Sequence, residues 1–179
     1  ELQEYTFRLC EENGLDYEMV LALMDQESDY REKVISKTND YGIMQINKVN
    51  HEWLKEELGI EDFLEAEQNI LAGIRMLAGL TAKYEDPHLV LMAYNCGENG
   101  AKKLWKQGKT TSQYSRSIMA RAEELRKEGR MSTVCGKCQR PLKDPKSIER
   151  GYGPDCWREV KAKMAKEEED QESEEEAEQ

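Results

Sequence analysis

A chain of 179 residues with 38% apolar content is long enough for one domain with a full core plus a smaller appendage, and two compact units are the upper limit. Charged residues make up 35% of it, and a net charge of −11 excludes a protein that sits broadly on nucleic acid, because phosphate binding needs a cationic surface. No run approaches the roughly 20 apolar residues of a membrane-spanning helix, and no signal peptide is visible, although a sequence that starts at Glu1 rather than Met says little about export.

The charge falls into three segments. Residues 1–130 carry 17 basic and 24 acidic side chains, residues 131–166 carry 9 and 4, and residues 167–179 carry 0 and 9. Periodicity predicts helices over 4–12 and 16–28, the second opened by Asp16 as its N-cap. Its apolar positions Val20, Leu23 and Met24 lead to Glu27 as the next member of the i, i+3, i+4, i+7 series, so a carboxylate lies on the apolar stripe. Desolvation and the negative end of the helix dipole both raise the pKa of such a carboxyl, as a general acid working near neutral pH requires. A solvated helix-end residue, or one paired with an Arg, is the plainer reading.

Next, "TNDYGIMQIN" (38–47) predicts a strand over 41–47, with Met44 and Ile46 on one side and Gln45 on the other. Gly42 would allow a ligand to approach the backbone, and a glutamine in a cleft offers both a donor and an acceptor to hydroxyl groups. A long amphipathic helix is expected over 66–84 through Ile70, Ile74, Leu77 and Tyr84, and Pro87 opens another at "PHLVLMAYN". "CGENG" breaks it, and two more helices follow at about 99–106 and 112–128, the latter ending at Gly129. His51 and His88 read as surface or helix-start residues, while Trp53 and Trp105 either stack on sugar rings or pack between helices.

Beyond Gly129 the composition changes to a loop-rich module of 131–166. Cys10 and Cys96 are isolated, whereas Cys135, Cys138 and Cys156 cluster, a pattern unlike a disulfide framework. "CGKC" has the spacing of a zinc knuckle, and Cys156 starts a short helix to about Lys166, where the dipole favours a thiolate. So short a segment could hardly bury a core without a metal, so a structural zinc on Cys135, Cys138 and Cys156 is expected. Asp155, Glu159, Asp144 or His88 would complete the shell; CxxC redox chemistry is the alternative. Lys137, Arg140, Lys143, Lys146 and Arg150, with Tyr152 and Trp157 among them, suit an anionic polymer such as DNA or teichoic acid, or simply solubility. The tail at 167–179 is expected to be disordered.

"QESDYREKVIS" (26–36), "NDYGIMQIN" (39–47), "NILAGIRML" (69–77) and "LMAYNCG" (91–97), in this order and spacing, resemble the soluble lytic transglycosylase domain of the lysozyme superfamily. The resemblance covers nearly all of 1–128. It implies a mainly α, lysozyme-like (α+β) domain at 1–130 with a short β element, acting on peptidoglycan glycan strands without a cofactor. The reaction implied is cleavage of the MurNAc-β-1,4-GlcNAc bond with closure of a 1,6-anhydro ring. Glu27 would be the catalytic acid with Ser28 beside it; Gly42, Met44 and Gln45 would line the sugar cleft; Tyr94 and Asn95 would sit near the acid. Ser36 and Tyr114 match a serine before the glycine motif and a later cleft-facing tyrosine.

Asp40 leaves the reaction open, because "NDYGIMQIN" also resembles animal-type lysozymes, in which an aspartate here is the second carboxylate of a hydrolase. An Asp before Tyr-Gly is equally suited to shaping a turn. A hydrolytic muramidase using Glu27 and Asp40 is therefore the alternative, and a non-enzymatic wall- or nucleic-acid-binding adaptor a second one. "CGKCQRPLKDPKSIERGYGPDCW" looks like a small treble-clef-like zinc module of phage and mobile-element proteins. A monomer at the cell envelope or outside it is expected, with export or phage- or conjugation-associated release as routes.

Overall fold

The computed structural model describes residues 2–130, 137–138, 140, 146–147 and 152–163. Cys135, Asp144, Lys143, Arg150 and the tail at 167–179 lie outside the described residues, and with them the expectations attached to those positions. The chain divides into two units, Glu1–Leu125 and Arg126–Gln179.

The first unit is helical. Its elements are α1 (Leu2–Asn13), α2 (Tyr17–Ser28), a two-stranded hairpin of β1 (Asp40–Tyr41) and β2 (Ile46–Asn47), α3 (His51–Leu58) after a single 3₁₀ turn, α4 (Ala66–Thr81), α5 (Pro87–Trp105) and, up to Leu125, α6 (Gln113–Arg130). Side chains from all six helices and the hairpin make one core: Leu9 of α1, Leu23 and Met24 of α2, Leu54 of α3, Ile70 and Leu77 of α4, Leu91 of α5, Ile118 of α6, and Met44 and Ile46. Asp16 caps α2, its carboxylate accepting the Met19 N–H at 2.9 Å. The helix stops where Asp29 and Tyr30 both take positive φ, 53° and 56°, which turns the chain sharply after Ser28.

Residues 41–47 are not one strand. Asp40 pairs with Asn47 and Tyr41 with Ile46 in antiparallel register, and 42–45 form the turn between them, with φ of 73° at Gly42 and 49° at Gln45. Met44 and Gln45 therefore do not alternate across a sheet. The turn is organised by the buried Asn69 of α4, which accepts the Met44 N–H at 2.8 Å and donates to the carbonyls of Tyr41 and Phe63 at 2.8 and 2.7 Å. A Cβ on Gly42 would run into the Asn69 amide and stand 2.7 Å from the Phe63 carbonyl. Glycine is thus required here by the protein's own interior and not by a ligand.

Other boundaries differ from expectation for local reasons. α4 ends at Thr81, leaving Tyr84 beyond it. α5 passes through "CGENG" with a kink at Gly97 (φ 70°, ψ 156°) instead of breaking, and α6 runs through Gly129 to Arg130. His51 starts α3 as expected and is half-buried: its ring stacks on Phe63 at 3.6 Å and its Nε2 lies 3.1 Å from the Ile46 carbonyl. Trp105 packs edge-on against Tyr84 at 4.9 Å.

In the second unit, a helix covers 154–163. Tyr152 stacks with Trp157 at 6.1 Å, and Lys137 forms an ion pair with Glu159. Among the described residues no helix is long and apolar enough to cross a membrane.

Candidate active site

A groove of about 980 Å³ runs across the first unit, a volume suited to a sizeable ligand. Glu27 enters it from the last turn of α2, and Asp40, Gln45 and Asn47 from the hairpin; Tyr94 and Asn95 come from α5 just before the kink, and Trp53 from α3.

Three carboxyls line this groove: Glu27 at the end of α2, Asp40 on the hairpin and Glu98 on α5. The Tyr114 hydroxyl of α6 donates to Oε1 of Glu27. Burial pushes the Glu27 carboxyl above the usual carboxylate range and the negative charge of Asp40 adds to this, while the Tyr114 hydrogen bond opposes them and is outweighed. Asp40 is built differently. Its Oδ2 accepts the hydroxyls of Ser36 and Thr38, each at 2.5 Å, and its Oδ1 accepts the Asn47 amide at 2.7 Å. Burial would raise its pKa, but these three donors together hold it below the ordinary value, so Asp40 stays ionised.

Of the residues singled out from sequence, Glu27, Asp40, Gln45, Tyr94 and Asn95 line the groove together, and Tyr114 joins them through Glu27. The other four support it. Ser28 is 2% exposed and donates to the Ile43 carbonyl at 2.8 Å, fastening the end of α2 to the hairpin turn. Ser36 supports Asp40, since its oxygen also accepts the Asp40 N–H at 3.1 Å. Met44 is fully buried against Gly73, and its carbonyl accepts the Tyr94 hydroxyl at 2.9 Å. Gly42 makes room for Asn69. Gln45 itself spends its amide on the Gly42 carbonyl at 2.8 Å.

Sequence reasoning missed Asn69, whose signal was a polar residue beside the apolar stripe of α4, the same anomaly that marks Glu27 on α2. It also missed the charged lining residues Arg75, Lys83, Glu98 and Lys102. The four-residue spacing of Glu98 and Lys102 within α5 was the available sign for that pair.

In the second unit Cys138 is exposed and Cys156 half-buried. Among the described residues no group of three side chains could hold a metal ion, and Cys135 lies outside them. His88 belongs to the first unit, where its Nδ1 lies 3.0 Å from the Ser115 hydroxyl.

The second unit's residues 126–161 match a family of unknown function, DUF6011. Membrane-bound lytic murein transglycosylase F of Desulfosudis oleivorans is 34% identical over 97 residues, which are 50% of this chain and 20% of that protein. The protein of the same name from Nitrosospira multiformis is 33% identical over 104 residues, 54% of this chain and 21% of its own. The chain thus spans about a fifth of the length of these curated relatives. Two solved structures share the fold at a TM-score of 0.61. The lytic transglycosylase Slt of Pseudomonas aeruginosa, solved as an inactive mutant, is 16% identical over 81% of this chain and 26% of its own. The 70 kDa soluble lytic transglycosylase of Escherichia coli is 18% identical over 70% and 24%. Residues 4–117, well over half of the chain, match the Transglycosylase SLT domain, and the chain belongs to that family.

Proposed function

We propose that the first unit cleaves the MurNAc-β-1,4-GlcNAc bond of peptidoglycan as a lytic transglycosylase at the cell envelope, with Glu27 as acid and then base. The observation that carries this is the partly buried Glu27 on a groove whose other hairpin-side carboxyl, Asp40, already accepts three hydrogen bonds. A carboxyl kept protonated donates its proton to the glycosidic oxygen. The C–O bond breaks and positive charge develops at C1 of MurNAc. The Glu27 carboxylate then takes the proton of the same sugar's 6-hydroxyl, whose oxygen bonds C1 and closes the 1,6-anhydro ring. No water enters the balance. Asp40 favours the developing positive charge through its field, and its occupied oxygens leave it poorly placed to attack or to activate water.

Mass spectrometry of muropeptides released from purified cell wall tests this. Anhydro products are expected. Products heavier by one water, with free reducing ends, would assign hydrolysis and make Asp40 the base. A folded protein that leaves a wall suspension's turbidity unchanged would point to the adaptor.

For the second unit we propose a structural zinc held by Cys135, Cys138 and Cys156. The Lys137–Glu159 ion pair supports the fit, because it ties the neighbour of Cys138 to the residue one helical turn after Cys156. The metal would cross-link the unit and take no part in the reaction. Elemental analysis should find one zinc per chain, lost in Cys138→Ala.

A further inference from the structure

The charges lining the groove are segregated. Glu27 and Asp40 lie at the end of α2 and on the hairpin, whereas Arg75, Lys83, Glu98 and Lys102 line the arm made by α4, the turn that follows it and the part of α5 beyond Gly97. Arg75 lies on α4, and Lys83 stands in the turn just past the helix's last residue, Thr81. Arg75 is bound to Glu57 at 2.6 Å. Lys83 and Lys102 instead share a single carboxylate. Lys83 Nζ lies 2.7 Å from Glu98 Oε2 and Lys102 Nζ 3.6 Å from Oε1, which also accepts the Tyr84 hydroxyl at 2.7 Å.

Two ammonium groups on one carboxylate leave a net positive charge in a chain whose total is −11. The Lys83 and Lys102 side chains are 56% and 52% exposed, and an ammonium has three N–H donors, so each keeps donors available after reaching Glu98. Glu98 remains ionised throughout, held down to about 2 by the hydrogen bonds from Lys83 and Tyr84. Glu98 thus draws both ammonium groups to the same side of the groove.

We infer that Lys83 and Lys102, clamped by Glu98, recognise the carboxylates of the acidic peptide stem carried by the glycan strand. This rests on the peptidoglycan reading above. The sugars of such a strand are neutral once the lactyl group is in amide linkage, so its negative charge sits on the stem, and a cationic arm has no other charge on that substrate to meet.

Soluble uncross-linked strands with free stem carboxylates, and the same strands with those carboxylates converted to amides by carbodiimide and ammonia, separate charge from shape. Fluorescence anisotropy with Glu27→Gln protein measures binding without turnover. The acidic strands should bind roughly fivefold to tenfold more tightly, and the preference should shrink with salt. Adding Lys83→Gln and Lys102→Gln should bring the ratio near one, while Lys83→Arg with Lys102→Arg should retain it. Equal binding of both strands by the parent, or a preference that survives the double Gln change, overturns the inference. Cleavage by the protein with Glu27 intact is read separately. Selective binding of acidic strands that are never cut removes only the transglycosylase reading, and cleavage of both strands with equal KM removes only the stem recognition.

Discussion

The end of α2 and the hairpin each place one carboxyl on the same groove, and their surroundings drive the two in opposite directions. Glu27 has one hydroxyl donor and is raised by burial and by its neighbour's charge. Asp40 has three donors and is lowered despite its own burial. Deeper burial with one donor and shallower burial with three donors thus push the two carboxyls apart. On the α4–α5 arm Glu98, with two hydrogen-bond donors and a second ammonium 3.6 Å away, is likewise held down to about 2. One groove thus holds a carboxyl with a raised pKa at one place and fixed negative charges at others.

The strongest way to break this contrast is to remove the proton. Glu27→Gln cannot donate to the glycosidic oxygen, and turnover on cell wall should fall by about a thousandfold or more. Retained activity would move the acid elsewhere. Asp40→Asn should do less, lowering kcat about tenfold through the lost field. Its pH profile is the sharper readout. Asp40 raises the Glu27 pKa, so without it Glu27 ionises at lower pH and the alkaline limb of the activity profile should move to lower pH. Stability should change with the opposite pH emphasis. A carboxyl with a depressed folded pKa contributes stability above its unfolded value of about 3.9, lost as pH falls through the folded one. The gap in urea midpoint between parent and Asp40→Asn should therefore be widest near neutral pH and close in acid.

Much of this site was legible because its anomaly was local. An acid on the apolar stripe of α2 can be seen within eight residues, and capping and periodicity placed that helix to within a residue of its ends. The hairpin was misread for the opposite reason. "YGIMQIN" alternates as a strand would, but its turn is dictated by Asn69, more than twenty residues later, and no local pattern shows that an amide will arrive to hold Met44 and Tyr41. Ser28, Ser36, Gly42 and Met44 belong to the motifs of a sugar cleft, yet they build the cleft without lining it. A motif cannot distinguish lining from support, since both leave the same residues at the same spacing. The charged arm required the packing of α4 against α5, which composition alone could not supply.

The smallest change tests the contrast from the other side. Tyr114→Phe removes the one hydroxyl bound to Glu27 and leaves the ring's packing in place. That hydroxyl favours the ionised form, so in its absence burial and Asp40 act unopposed and Glu27 holds its proton to higher pH. The alkaline limb should then move upward, opposite to Asp40→Asn, with kcat at neutral pH falling by no more than about tenfold, the worth of one charged hydrogen bond. Combining the two substitutions should bring the limb back toward its original place, because one removes a raising influence and the other a lowering one. A limb that moves downward in Tyr114→Phe would mean that Tyr114 governs something other than the proton on Glu27.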